Sequence, residues 1–394
     1  MISLWSSAAA CAAVGTCYIG YRKNMHQWIV HDTLRTIWMK TVFRKPSKTH
    51  LLFAFVDHFE PGNRKADLSR QIERVRAWTE KYPDMAGRHR DADGVHPQHT
   101  FFFPPHYDTH DHLERIVDLC GQGFGEVEMH MHHDHQHPWP DTEATLRNKL
   151  LDCIERFSRC GVFCLPDGRK SYGFIHGDWA LANSRKGGAF CGVNNETALL
   201  KETGCFADFT FPVSNEAQPW LTNTFFYGNS FSDRPKGYAC QPIPMSAGKP
   251  APAGRLLLMQ GIIGLRWKSR KAAHKPSIEQ SNIDTSDEPT PGRVDYWVDK
   301  WIHVSGRPDW VFIKVHTHGA REEDRDVLLG ESADRLFRYL EEAYNDGKRF
   351  VLHYVSAREM YNIARAAEAG KSGDPNLYRD FIVPRYIYLN PRQG

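Results

Sequence analysis

From about Leu51 onward the sequence keeps switching between two hydrophobic periods: short apolar runs, then stretches in which apolar residues recur every three or four positions. Strands with a face to bury and helices with a stripe to bury cover each other most simply as βαβ units around a parallel sheet, so this alternation constrains the fold more than any other feature. Strands are expected at Leu51 to Phe59, His99 to Pro104, Glu126 to His132, Tyr172 to Trp179, Ala207 to Val213, Leu256 to Gly261, Trp310 to His318 and Phe350 to Val355. Between them, a helix from Asp67 to Lys81 turns Leu68, Ile72 and Val75 inward, and the next carries Leu113, Ile116, Val117 and Cys120 on one face. Asp141 is expected to cap a helix bearing Leu146, Leu150, Ile154 and Phe157 that stops near Gly161, and a short helix runs from Asn195 to Gly204. Ser332 to Gly347 is a helix with Leu336 and Leu340 inward. The last helix opens on an S-x-x-E capping box, Ser356 and Glu359, ahead of Met360, Ile363, Ala364 and Ala367.

Seven or eight strands separated mostly by helices fit a closed or nearly closed (β/α) barrel better than an open sheet with two domains. With 394 residues, 41% of them hydrophobic, the chain can bury one such core. The barrel domain is expected over residues 46–394. Around 214–293 the helix signals fade and Lys268 to Gly292 is polar, so this insertion is either a set of loops shaping a substrate site or a solvated excursion.

Residues 1–45 are expected to form a separate hydrophobic, membrane-associating segment. Ile2 to Gly20 is small and apolar and about long enough for a membrane span. Positive charge follows the run, at Arg22 and Lys23, rather than preceding it as in a secretory signal; if the segment inserts, the domain stays on the cytoplasmic side. A packed or frayed N-terminal helix is the alternative. The net charge of +3 excludes a nucleic-acid binder, and the nine cysteines include no C-x-x-C pair and read as small buried thiols.

The 21 histidines are the anomaly, because they cluster. Side chains alternate across a strand, so Glu126, Glu128, His130 and His132 share one face against Val127, Met129 and Met131. Lys314, His316 and His318 alternate likewise with Val311, Ile313 and Val315, and His176 falls on one face with Asp178. If the apolar faces lie under helices, these imidazoles and carboxylates project inward at the ends of their strands, where barrel enzymes place their active sites. Asp57 and His58 stand side by side at the end of the first strand, and the run His130-Met131-His132-His133-Asp134-His135 offers the nitrogen and oxygen donors that a zinc-like ion takes. A solvated histidine loop that scavenges metal is the alternative reading of that run.

This layout resembles the polysaccharide deacetylase superfamily, the fourth carbohydrate esterase family, whose members are distorted (β/α) barrels that remove acetyl groups with a divalent metal. Phe55-Val56-Asp57-His58 stands where that family has its T-F-D-D motif, His130 and Asp134 where it has two metal histidines four apart, and Ile313-Lys314-Val315-His316 where a late strand ends in a proton-donating histidine. The resemblance implies Asp57 as the base, His316 as the acid, and His58, His130 and Asp134 as ligands of a divalent ion, zinc first among them. The family's Arg-Pro-Pro-Tyr segment is absent. Phe174 to Trp179 is expected to take over its role, with His176, Asp178 and Trp179 binding the carbohydrate and His318 assisting. The expected activity is deacetylation of a polysaccharide or its precursor. Two alternatives stand beside it: a non-catalytic carbohydrate-binding barrel whose aromatic rim grips sugar, and an amidohydrolase-like metal hydrolase, from the H-x-H of His316-Thr317-His318.

Overall fold

The structure, a computed structural model, describes residues 24–109, 111–133, 140–267 and 276–389. Its strands are β1 (Thr49–His58), β2 (His99–Phe103), β3 (Gly125–Met131), β4 (Tyr172–His176), β5 (Cys205–Asp208), β6 (Phe226–Gly228), β7 (Ile243–Pro244), β8 (Leu256–Leu258), β9 (Gly264–Trp267), β10 (Pro276–Glu279), β11 (Trp310–Thr317) and β12 (Phe350–Val355). The α-helices among the described residues are α1 (Ile29–Thr41), α2 (Leu68–Ala86), α3 (His112–Gly121), α4 (Glu143–Ser158), α5 (Glu196–Glu202), α6 (Pro291–Asp299), α7 (Glu322–Leu329), α8 (Glu331–Tyr344) and α9 (Ala357–Glu368).

The expected alternation holds. Helices α2, α3, α4 and α5 each connect one parallel strand to the next, and β1, β2, β3, β4, β5, β8, β11 and β12 are the parallel members of a ten-stranded sheet ordered β11-β1-β2-β3-β4-β5-β8-β6-β7. β12 lies beside the first half of β1 and β2 beside its second half. Strand pairing does not close the sheet into a ring. Between β8 and β11 the gap is crossed instead by side-chain and loop contacts: the buried Lys314 ammonium donates to the carbonyls of Phe209 and Phe211, and Ser281 and Ile283 hydrogen-bond His316's backbone, each at 2.8 Å.

The insertion therefore divides. Residues 279–283 are mostly buried against β11, and β6 and β7 extend the sheet in antiparallel fashion, while 268–275 lie outside the described residues. In α2 the buried stripe is Val75, Trp78, Tyr82 and Met85, whereas Leu68 and Ile72, expected inward, are exposed. The indole of Trp78 donates to the Gly319 carbonyl at 2.8 Å, so the aromatic end of the helix is what docks. The α4 cap is Thr142, in a capping box with Thr145; Asp141, expected as the cap, instead pairs with the buried Lys149 at 2.7 Å. The Ser356 and Glu359 capping box of α9 forms as expected.

The expected membrane span, Ile2 to Gly20, lies outside the described residues. No helix among the described residues is long and apolar enough to cross a membrane. Helix α1, within the expected N-terminal segment, docks on the sheet domain: Asp32 pairs with Lys300 at 2.6 Å and accepts from Asn223 at 2.9 Å. Its opposite side exposes Val30, Leu34, Ile37 and Trp38.

At the start of β1, His50 Nδ1 lies 2.8 Å from His353 Nε2, and His353 reaches Asp93 through Nδ1 at 2.7 Å. Burial, then the neighbouring His353, holds His50 down at about 4, below its ordinary 6.5. The unfolded chain therefore takes up a proton that the folded chain refuses. Stability from this group is complete above the ordinary value and is lost as pH falls from about 6.5 to 4. Urea unfolding of His50→Gln should show a shallower loss of stability than the parent across that window; parallel curves would rule the linkage out.

Candidate functional site

Register divides the sheet's side chains between two faces. Ala54 and Val56 align with Lys314 and His316, His58 with Phe102, Phe102 with Glu128, and His130 with Ile175, so these share the site face. Phe55, Asp57, His99, Met131 and His176 share the other, which packs under helices. The site face collects its chemistry at the C-terminal ends of β1, β3 and β11 and in the turn after β4.

His58 closes β1 with its ring centroid 4.7 Å from that of His318, 4.9 Å from His130 and 6.1 Å from His316. Glu60, two residues on and buried, pairs with His132 Nε2 at 2.9 Å and lies 3.8 Å from His130 Nε2. His132 Nδ1 faces Asp178 at 3.0 Å. His130 is buried and gives its Nδ1 proton to the Ile175 carbonyl at 2.9 Å, which leaves Nε2 with the lone pair and with no hydrogen-bond partner among the described residues. One donor atom from each of Glu60, His130 and His132 lies within 4.8 Å of the others.

The turn that follows β4 completes the wall. Asp178 and Trp179 both take φ of 54°, a left-handed backbone that costs a non-glycine residue roughly 1 kcal/mol or more. The His132 contact and Arg185, which donates to the Asp178 carbonyl at 2.8 Å, hold the turn. Gly177 must be glycine, because a Cβ there would sit 2.4 Å from His132 Nδ1. The Trp179 ring lies 5.8 Å from His58, and its buried indole N–H has no hydrogen-bond partner among the described residues. Asp178 is the open end, with 37% of its side chain exposed against 11% for His132.

Burial and mutual repulsion hold most of these imidazoles neutral. His58 sits well below its ordinary value through burial and then the fields of His318 and His130; His130 is pushed down to about 3 by burial and then His132. His316 is lowered by burial and Lys314, and His318 by burial. His132 is the exception: burial pulls it down, but hydrogen bonds to Asp178 and Glu60 outweigh that and raise it to about 10. Glu60, despite its burial, is held ionised by the same bond. The donor set is thus one carboxylate, one lone pair already aimed without a partner among the described residues, and one imidazolium set between two carboxylates that frees its Nε2 for an ion by releasing that proton. A divalent cation fits that set.

The structure brings together the expected His58, His130, His316, His318, Asp178 and Trp179, while Asp134 lies outside the described residues. It turns two expected residues elsewhere. Asp57, expected as the base, lies on the helix-packed face, where it accepts from His99 Nε2 at 2.9 Å and from the Gly319 amide at 2.7 Å; it positions the turn that carries His318. His176, expected against substrate beside Asp178, points to that same far face, because the chain leaves the strand between the two residues and alternation fails there. Glu60 and His132 are the additions. His132 was legible by alternation with His130; Glu60 stood in the sequence two residues beyond His58, in a loop where periodicity says nothing. No protein-family model matches the chain, and no curated protein sequence matches it.

Proposed function

We propose that this chain is a metal-dependent hydrolase that removes an acyl substituent, acetyl first among them, from a carbohydrate. The observation that carries the reading is the unpartnered Nε2 of buried His130 beside Glu60 and His132, three donors converging in a cluster of otherwise neutral imidazoles. Zinc is the expected ion for such nitrogen and oxygen donors, and when bound it would acidify water and polarise an acyl carbonyl. Glu60, His130 and His132 would hold it.

The chain's other residues supply the rest. Asp178 orients His132, Trp179 offers an aromatic face to a sugar, and Asp57 fixes the backbone behind His318. His318 and His58 stand as the proton carriers, being neutral and adjacent to the cluster. The fold reading goes with this: the eight parallel strands are an opened relative of a (β/α) barrel, in which Lys314 and residues 281–283 span the gap that pairing leaves. Membrane association is part of the same proposal, supported by the exposed apolar side of α1 next to the apolar N-terminal sequence.

Acetate release from a panel of acetylated oligosaccharides, with and without added zinc, tests the reading; sugar binding without turnover at any metal loading would leave a binding protein in its place. If His318 carries the proton, His318→Gln lowers turnover on the order of 100-fold and His316→Gln by much less, because His316 lies deeper. The reverse order would restore His316 as the acid.

A further inference from the structure

A second group of donors sits on the opposite side of β3 from the proposed catalytic cluster. His133 follows His132 but points the other way, and there it stacks on His176 with ring centroids 4.4 Å apart. Cys191, from the loop after β4, and Glu196, the first residue of α5, complete the group. One donor atom from each of these four residues lies within 4.8 Å of the others, and all four side chains have no exposed surface.

Burying two imidazoles, a thiol and a carboxylate together costs several kcal/mol unless each finds a partner. Some partners are present: Glu196 approaches His133 Nε2 at 2.9 Å and Cys191 Sγ at 3.5 Å, and it accepts from the Ala182 amide at 2.6 Å. His176 Nε2, wholly buried and 3.4 Å from Glu196, makes no hydrogen bond among the described residues.

The outer nitrogen of His176 is hydrogen-bonded, and that of His133 faces a carboxylate without a hydrogen bond among the described residues. His176 Nδ1 donates to the Gly177 carbonyl at 2.5 Å, and His133 Nδ1 lies 3.3 Å from Asp141, which Lys149 holds in turn at 2.7 Å. His176 is therefore set in the tautomer that turns its Nε2 lone pair into the group, the outer-partner arrangement that orients metal-binding histidines; His133 gives its Nε2 proton to Glu196 and must carry it on Nδ1 instead, toward Asp141, for its Nε2 to bind an ion.

From this geometry we infer that His133, His176, Cys191 and Glu196 form a closed, four-coordinate structural site for a divalent ion of the zinc class. Two nitrogens, one sulfur and one carboxylate oxygen are the donors such an ion takes when it keeps no open position. Binding displaces the Cys191 thiol proton to solvent; thiolate plus carboxylate then balance the dication, so the buried site becomes neutral overall. The ion ties the ends of β3 and β4 to the 181–195 loop and α5. It would thereby fix the strained turn bearing Asp178 and Trp179 from behind. The inference does not depend on hydrolase activity, since it concerns different donors on the other face.

Cobalt(II) tests it, because this group includes a cysteine and the cluster of Glu60, His130 and His132 does not. The full chain, stripped with chelator and reloaded with cobalt(II), should show a near-ultraviolet sulfur-to-cobalt charge-transfer band. The band should survive His130→Ala and vanish in Cys191→Ser, together with about one equivalent of metal. If Cys191→Ser does not fold, His176→Gln is the second variant and should weaken or shift the band. A folded, cobalt-loaded parent with no such band overturns the inference, and so does a band that persists unchanged in Cys191→Ser or His176→Gln.

Discussion

Replacing Glu60 with glutamine is expected to reduce acetate release by on the order of 100-fold or more while leaving the fold intact. Glutamine keeps the volume and one acceptor oxygen, which can serve Asn63 and so keep the loop after β1, while its amide NH2 takes the place of the oxygen that faced His132. What it loses is the negative charge that His130 and His132 face. A dication in the cluster then has two neutral imidazoles and no carboxylate to balance it, and affinity falls with turnover. The same substitution separates two accounts of Glu60. If Glu60 only neutralises a charged His132, the variant lowers the pKa of His132 and turnover changes modestly; if it holds the ion, added zinc at high concentration restores part of the lost rate. Turnover equal to the parent at limiting zinc would remove Glu60 from the site.

The largest effect on stability is expected at Arg358. Its guanidinium, 1% exposed, binds Glu126 at 2.7 Å and 2.9 Å, the Val383 carbonyl at 2.7 Å and Asp380 at 2.6 Å. Glu126 is raised by burial and lowered again by Arg358, so it depends on this one cation. Arg358→Met strips the counter-charge from a buried carboxylate and removes one of the two α9 side chains, with Asn362, that hold residues 379–383, and breaking such a pair costs about 3–5 kcal/mol. Chemical unfolding reads this directly. In the double variant Arg358→Met with Glu126→Gln, most of the loss should return, because the uncompensated charge is gone. A single-variant loss below about 1 kcal/mol would mean that the pair is not what holds the C-terminal segment.

Most of the strands and helices were legible because each carries its own period; the strand ends at His130 and His316 follow from alternation, and His58 from its place beside Asp57 at the end of the first strand. Three kinds of information were not. Closure was not, since whether the sheet joins β8 to β11 depends on the path of residues 214–293, whose polar composition fixes no register. The facing of residues beyond a strand's last hydrogen bond was not: alternation was extended from β4 through Gly177 to pair His176 with Asp178, and the turn at Gly177 sends them to different sites. Partners distant in sequence were not, which is why Glu196 and Cys191 went unnoticed beside His133 and His176. The side of Asp57 could have been read, because strict alternation separates it from His58. The resemblance to a motif with adjacent functional residues weighed against that reading, and the aromatic layer of Phe55, Trp78 and His99 beneath α2 decides it.

The central claim is that Glu60, His130 and His132 hold one metal ion. Elemental analysis of the full chain and of His130→Ala, purified and reconstituted with zinc side by side, tests it most directly, because whatever the cluster around Cys191 holds is common to both. The account predicts that His130→Ala carries about one equivalent less zinc than the parent and is inactive toward acetylated oligosaccharides. Equal zinc in the two folded proteins would contradict it.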